Sequence, residues 1–221
     1  MKKFVVFLNL LLICPFVSIS CVNEKGGYEN GHEYVDLGLS VKWATCNIGA
    51  DSTWYGGAHF EWGEVEPRQW DDSKENKYCA YSSDITKYCT IAKYGHNGLV
   101  DDKIILDAED DAATINWGGR WRMPTKEEFD ELCDNCTFEL QTLNGKIGYK
   151  VIGKNGNFIF LPMPDIEEGE AMWVHVGRYW SSSLYISLPF QAYQMVLEKY
   201  SVDVYDWDRG SSSAFIRPVC P

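Results

Sequence analysis

Residues 1–20 set the conditions under which the rest of the chain folds. Lys2 and Lys3 form a short positive segment, Phe4 to Cys14 is apolar apart from Asn9, and Pro15 to Ser20 turns smaller and more polar. That order is the pattern of a secretory signal peptide, and the apolar run is too short to be read as a spanning helix. The segment 1–20 is therefore excluded from the fold. The remainder is expected to fold outside the cytosol, where cysteines can pair. Cys14 and Cys21 belong to the signal region, which leaves Cys46, Cys79, Cys89, Cys133, Cys136 and Cys220. Sequence alone does not fix their connectivity. Cys79 and Cys89 lie close in the chain and flank a short Tyr/Ser segment, so they are the pair expected to form a disulfide. Cys133 and Cys136 share a face of an expected helix but are poorly placed to bond each other there. A zinc site on this Cys-x-x-Cys lacks a second Cys or His pair at matching spacing, and no metal site is assigned.

Ser18 and Ser20, small residues just before Cys21, make this junction resemble a lipobox. Ser18 stands where Leu or Val is usual. Ordinary secretion with cleavage near Ser20 is the other reading. Lipidation at Cys21 with more than one acyl chain would anchor the chain stably, since a single chain is marginal. The expected location is therefore exported and lipid-anchored, at the outer membrane or cell surface. Removing residues 1–20 takes away Lys2 and Lys3 and no acid, lowering the net charge from −12 to −14. Such a chain lacks the basic footprint of a nucleic-acid binder and is repelled by an anionic bilayer. The expected membrane contact is through the lipid anchor only.

Residues 22–31 are polar and glycine-rich, so 21–31 reads as a lipidated flexible tether and 32–221 as the domain. Tyr34-Val35 and Val41 to Thr45 read as short strands, and Lys74 to Asn97 as a surface excursion clipped by Cys79 and Cys89. Asp107 to Asn116 reads as a helix with acids in its first turn. A second helix starts at Thr125, where Glu128 completes a capping box. Gly148 to Ile152 and Phe158 to Leu161 flank Asn155-Gly156, a hairpin signal. Tyr179 to Ser183, Ala192 to Leu197, Val202 to Tyr205 and Phe215 to Val219 read as strands. Helices in the middle and strands toward the end predict an α+β class rather than a parallel βαβ fold.

Longer segments carry a resemblance. They are Tyr34-Val-Asp-Leu-Gly-Leu-Ser-Val-Lys-Trp-Ala-Thr-Cys-Asn-Ile-Gly-Ala50, Phe60-Glu-Trp-Gly-Glu64 and the run from Asp110 through Trp117-Gly-Gly-Arg-Trp-Arg-Met-Pro-Thr125 to Phe129. Gly148-Tyr-Lys-Val151, Gly156 to Pro162, Tyr179-Trp-Ser-Ser-Ser183 and Ile216-Arg-Pro-Val219 follow in order. Together they resemble the Fibrobacter succinogenes major paralogous domain of exported Bacteroides-type lipoproteins. The resemblance implies a C-type-lectin-like domain: two helices packed on a small twisted antiparallel sheet, with long ligand-carrying loops. It also implies that the first and last strands pair, near Trp43 and Ile216. The Trp-Arg-Met-Pro-Thr segment is similar to a helix start in formylglycine-generating enzymes, but fold kinship does not carry function.

No catalytic constellation emerges, so a non-enzyme is expected. A formylglycine-type oxidase needs a reactive, copper-binding cysteine pair, and neither Cys133 with Cys136 nor Cys220 matches that arrangement. His32, His59, His96 and His175 are scattered and read as surface or loop residues. Ser181 to Ser183 reads as a strand with hydroxyl pairing. No cofactor is expected; calcium was weighed at Asp206-Trp207-Asp208 and Asp101-Asp102, where solvated acids are the simpler reading. Asp110-Asp111 reads as helix N-terminal charge. Residues 184–214 carry the binding expectation. Tyr185, Gln191, Tyr193, Tyr205, Asp206, Trp207, Asp208 and Arg209 supply the residue types of an adaptable contact surface for an extracellular glycan or protein ligand. A structural or accessory subunit of a surface or pilus assembly is the alternative. Strand alternation turns part of this set inward.

Overall fold

The computed structural model describes residues 26–68, 75–80, 82, 84–163 and 176–221. Cys21, the signal segment and His175 lie outside the described residues. The elements in chain order are β1 (Gly26–Glu29), β2 (His32–Val35), β3 (Lys42–Ala44), β4 (Phe60–Glu61), α1 (Ala112–Trp117) and α2 (Lys126–Asn135). Then come β5 (Thr137–Leu143), β6 (Lys146–Ile152), β7 (Phe158–Pro162), β8 (Gly177–Leu184), β9 (Gln191–Leu197), β10 (Val202–Asp208), β11 (Ser213–Ala214) and β12 (Val219–Cys220). The strands form antiparallel sheets of order β1-β2-β3-β12, β10-β9-β8, β11-β4 and β5-β6-β7. The class is α+β, as expected.

The tether expectation fails over 26–31. Asn30 and Gly31 both take positive φ, 44° and 86°, which makes a two-residue turn joining β1 to β2. Gly26 is needed for close approach, because a Cβ there would sit 2.1 Å from the Tyr34 carbonyl oxygen. A polar, glycine-rich composition thus conceals a hairpin. Asn144-Gly145 repeats the device, with φ of 50° and 82°, between β6 and a β5 that sequence reading missed. At Asn155-Gly156 only the glycine has positive φ, and the connection is a longer loop over 153–157 closed by Gly153 N–H to Asn157 O.

The expected helix at 107–116 divides. A 3-10 turn covers Ala108–Asp110, and α1 starts only after Asp111, whose carboxylate accepts from Thr114 N at 2.9 Å and from Met123 N at 2.8 Å. Asp111 is thus a buried N-cap rather than a solvated acid. Asp110 points inward to Lys77, Lys87, Tyr78 and Tyr88. The second helix forms as expected. Thr125 accepts from Glu128 N, and Glu128 accepts from Thr125 N. Phe129 and Leu132 bury its inner face, and Cys136 is its C-cap.

The described residues between Lys74 and Asn97 are not a surface excursion. Ile85, Cys79 and Cys89 make a small core of their own, and Tyr88 joins the main one. Cys79 and Cys89 are thiols in that cluster, so the expected disulfide is not formed.

Two larger cores flank the β8–β9–β10 sheet. Trp180, Leu184 and Ala192 project into one with Phe60, Trp62 and Trp121. Tyr179, Met195 and Leu197 project into the other with Trp43, Phe129 and Phe215. Successive side chains leave opposite faces of a strand, so alternate residues feed the two cores. The chain ends close as expected, with the register moved: Trp43 pairs with Val219, and Ile216 O accepts from Ile48 N at 3.1 Å. Arg217, fully buried, locks this closure. Its guanidinium donates to Ala44 O, Thr45 O, Phe160 O and Asn47 Oδ1.

Candidate functional site

β10 is an outer strand of its sheet, and its register divides the expected binding residues between two faces. Tyr205 lies opposite Gln194 and Trp207 opposite Ala192. Val196, on the same side of β9, lies opposite Arg178 of β8. Tyr205, Trp207 and Arg178 therefore share one face. Asp206 lies opposite Tyr193 and Asp208 opposite Gln191, which puts these on the other face. The single patch expected from sequence is two.

On the first face Trp207 is 39% exposed, and the Arg178 guanidinium carbon stands 3.9 Å from its ring centroid. Sequence reading missed Arg178. Burial pushes its pKa down, with Tyr205 and Glu198 pulling weakly the other way. Its Nη1 is shut off from solvent and has no hydrogen-bond partner. Gln194 on the same face is fully buried, with neither amide atom hydrogen-bonded. Tyr205 is half-buried, and burial raises its phenol pKa.

The second face is more self-contained. Tyr185 packs edge-on to Tyr193 at 5.5 Å, and Lys126 Nζ lies 5.7 Å from the Tyr193 ring while paired with Asp130. Asp208 spends its Oδ1 on Gly210 N, Ser211 N and the Ser211 hydroxyl, each at 2.9 Å. Gln191 keeps a buried, unpartnered Oε1.

Arg209 is a correction. It is fully buried, donating through Nη2 to Lys87 O at 3.0 Å and Tyr88 O at 3.1 Å, with its guanidinium 4.9 Å from the Trp62 ring. Burial pushes its pKa down, against the pull of Cys79. It ties the 87–88 segment to the chain after β10 and is closed to any ligand.

The acids weighed for calcium serve the backbone. Asp101 accepts from Tyr88 N, Cys89 N and Lys103 N, and Asp208 closes its own turn. The carboxylates that do cluster, Asp107, Glu109 and Asp110, already hold Lys87 Nζ at 2.7, 3.0 and 2.6 Å. Burial would raise the Asp110 pKa, but Lys87, Tyr78, Tyr88 and Lys77 outweigh it and hold the carboxyl well below its ordinary value. The serine hydroxyls of β8 bond backbone rather than each other. Ser181 donates to Tyr193 O and Ser182 to Pro124 O, while Ser183 accepts from Lys126 N, all around a break in the β8–β9 register.

His32 stacks on Trp117 at 3.8 Å, and His96 pairs with Asp84. His59 is less ordinary. With Gly57, Ala58, Pro67, Arg68, Ser211 and Ser213 it lines a cavity of about 490 Å³ that sequence reading did not anticipate. Burial pushes its pKa down, and Arg68 beside it is paired with Glu61. Burial also pushes the Cys133 thiol up to about 12 and that of Cys136 up to about 11.

No known family model matches the sequence. Neither the curated proteins nor the solved structures contain a match to it.

Proposed function

We propose that the chain is a non-catalytic, surface-tethered recognition module of C-type-lectin-like fold, binding a glycan or protein through the Trp207 face of β10. The observation that carries this reading is Trp207 itself, a large aromatic left 39% exposed on an outer strand with a guanidinium against its ring. Aromatic and arginine side chains at the centre of a contact patch supply most of the energy in such surfaces. The export signal, the family resemblance and the pairing of Trp43 with Val219 support the rest of the reading. The thiols of Cys133 and Cys136 stay protonated at neutral pH, the opposite of a reactive cysteine pair. Screening the mature protein on glycan and protein arrays, beside Tyr205→Ala and Trp207→Ala, tests it. Both variants should remain folded by near-ultraviolet circular dichroism and lose about tenfold or more in affinity. Unchanged affinity for every ligand found would sink it.

The assembly-subunit reading keeps one specific support. β5 is a seven-residue outer strand, exposed along most of its length, with Leu140 and Leu143 each 40% exposed. Such an edge is a template for pairing with another chain. Stoichiometric co-purification with a partner, abolished by Leu140→Lys and indifferent to Trp207→Ala, would favour it.

A further inference from the structure

Arg178 stands apart from the other arginines. Arg68 pairs with Glu61, Arg120 with Glu29 and Arg122 with Glu128. Arg209 and Arg217, unlike Arg178, are fully buried: Arg217 donates to Asn47 Oδ1 and to backbone carbonyls, and Arg209 donates through Nη2 to the Lys87 and Tyr88 carbonyls while its Nε and Nη1 are sealed without partners. Among the described residues no carboxylate pairs with the Arg178 guanidinium, in a chain whose net charge is −12. A partly desolvated cation that finds no counter-ion among the described residues is unfavourable unless something completes it.

We propose that Arg178, held against Trp207 and beside Tyr205, is the subsite for the carboxylate of an acidic sugar residue. The proposal rests on the Trp207 face being the recognition surface. Stacking on Trp207 at 3.9 Å fixes the orientation of the guanidinium before a ligand arrives. With Nη1 sealed, the Nη2 and Nε edge is left to offer parallel N–H donors to a planar carboxylate, a geometry that an ammonium does not reproduce. Burial works against its charge, so an arriving anion would offset that desolvation cost. Asp203 lies on the same face, and Glu198 is near enough to influence Arg178. These acids disfavour a dianionic phosphate more than a monoanionic carboxylate. Tyr205 and the exposed part of Trp207 give the apolar face of a pyranose ring a flat surface beside the charge.

The test is an array of uronate- and sialate-terminated oligosaccharides printed beside their methyl esters, with a glutamate-rich peptide as the protein arm. It is probed with the full mature chain and with Arg178→Gln, Arg178→Lys and Trp207→Ala. The wild type should bind acidic sugars and lose about tenfold or more on esterification. Arg178→Gln should bind acid and ester alike, and Arg178→Lys should recover only part of the difference. Near-ultraviolet circular dichroism checks that each variant is folded; if Arg178→Gln is not, the ester comparison on the wild type decides alone. Equal binding of acid and ester, or preference for the peptide alone, overturns the proposal. Ester binding that still depends on Trp207 overturns it while leaving the recognition face intact. Absence of binding to all probes removes both.

Discussion

At Trp207 and Arg209, only two positions apart, one side chain reaches solvent and the other none, and their partners explain why. Arg209 donates to carbonyls more than a hundred residues earlier in the chain, at Lys87 and Tyr88. No local pattern could have announced that contact, so its charge made it look like a surface residue. Arg209→Ala should cost about 3 kcal/mol in urea unfolding, since it opens a cavity and takes the donor from the buried Tyr88 carbonyl and the part-buried Lys87 carbonyl. A cost under about 0.5 kcal/mol, as at an exposed site, would contradict the placement. Asp110 makes a prediction of a different sign. Its carboxyl is held below the value of about 4 that it would have unfolded. The stability it contributes is fully present above that unfolded value and is lost as pH falls toward the folded one. Unfolding midpoints measured from pH 6 down to pH 3 should therefore fall in the wild type. Asp110→Asn should start lower at pH 6 and decline less steeply below about pH 4. Parallel declines would contradict it.

Elements governed by local chemistry form where the sequence places them. The capping box at Thr125 needs only neighbours in the chain, and Thr125→Ala should destabilise by about 1 kcal/mol in the same urea assay. The Asn-Gly turns are local too, yet one lies within a polar run and another follows an unremarked strand. Gly145 has a φ of 82° and open space around a built Cβ, so Gly145→Ala should cost about 1 kcal/mol through the backbone alone. No loss there would argue against the β5–β6 turn. Elements decided by distant partners were less legible. The helix expected from Asp107 starts five residues later, because Asp110 turns inward to two lysines and two tyrosines and Asp111 becomes the cap. A strand at Val202–Tyr205 is legible in the sequence and runs on to Asp208, but its faces are not. Alternation says that Tyr205 and Asp206 point apart, while only the pairing with β9 says which of them joins Arg178.

Across the whole molecule, closure at the ends and a sheet between two cores set what remains outside. Trp43 pairs with Val219, and Arg217 bonds to Ala44, Thr45 and Asn47 near the start of the domain as well as to Phe160. In the β8–β9–β10 sheet, β10 is the outer strand: its Val202 and Val204 pack on one core and its other face carries Tyr205 and Trp207. The Trp207 face is thus at the outer strand of the sheet, whereas the His59 cavity lies elsewhere, between Gly57 and Ser213. Hydrogen–deuterium exchange of the mature protein, with and without the first ligand identified, separates the two most directly. Protection should concentrate on Val202–Asp208 and on the segment around Arg178. Protection confined to residues 57–68 and 211–213, with β10 unchanged, would contradict the account.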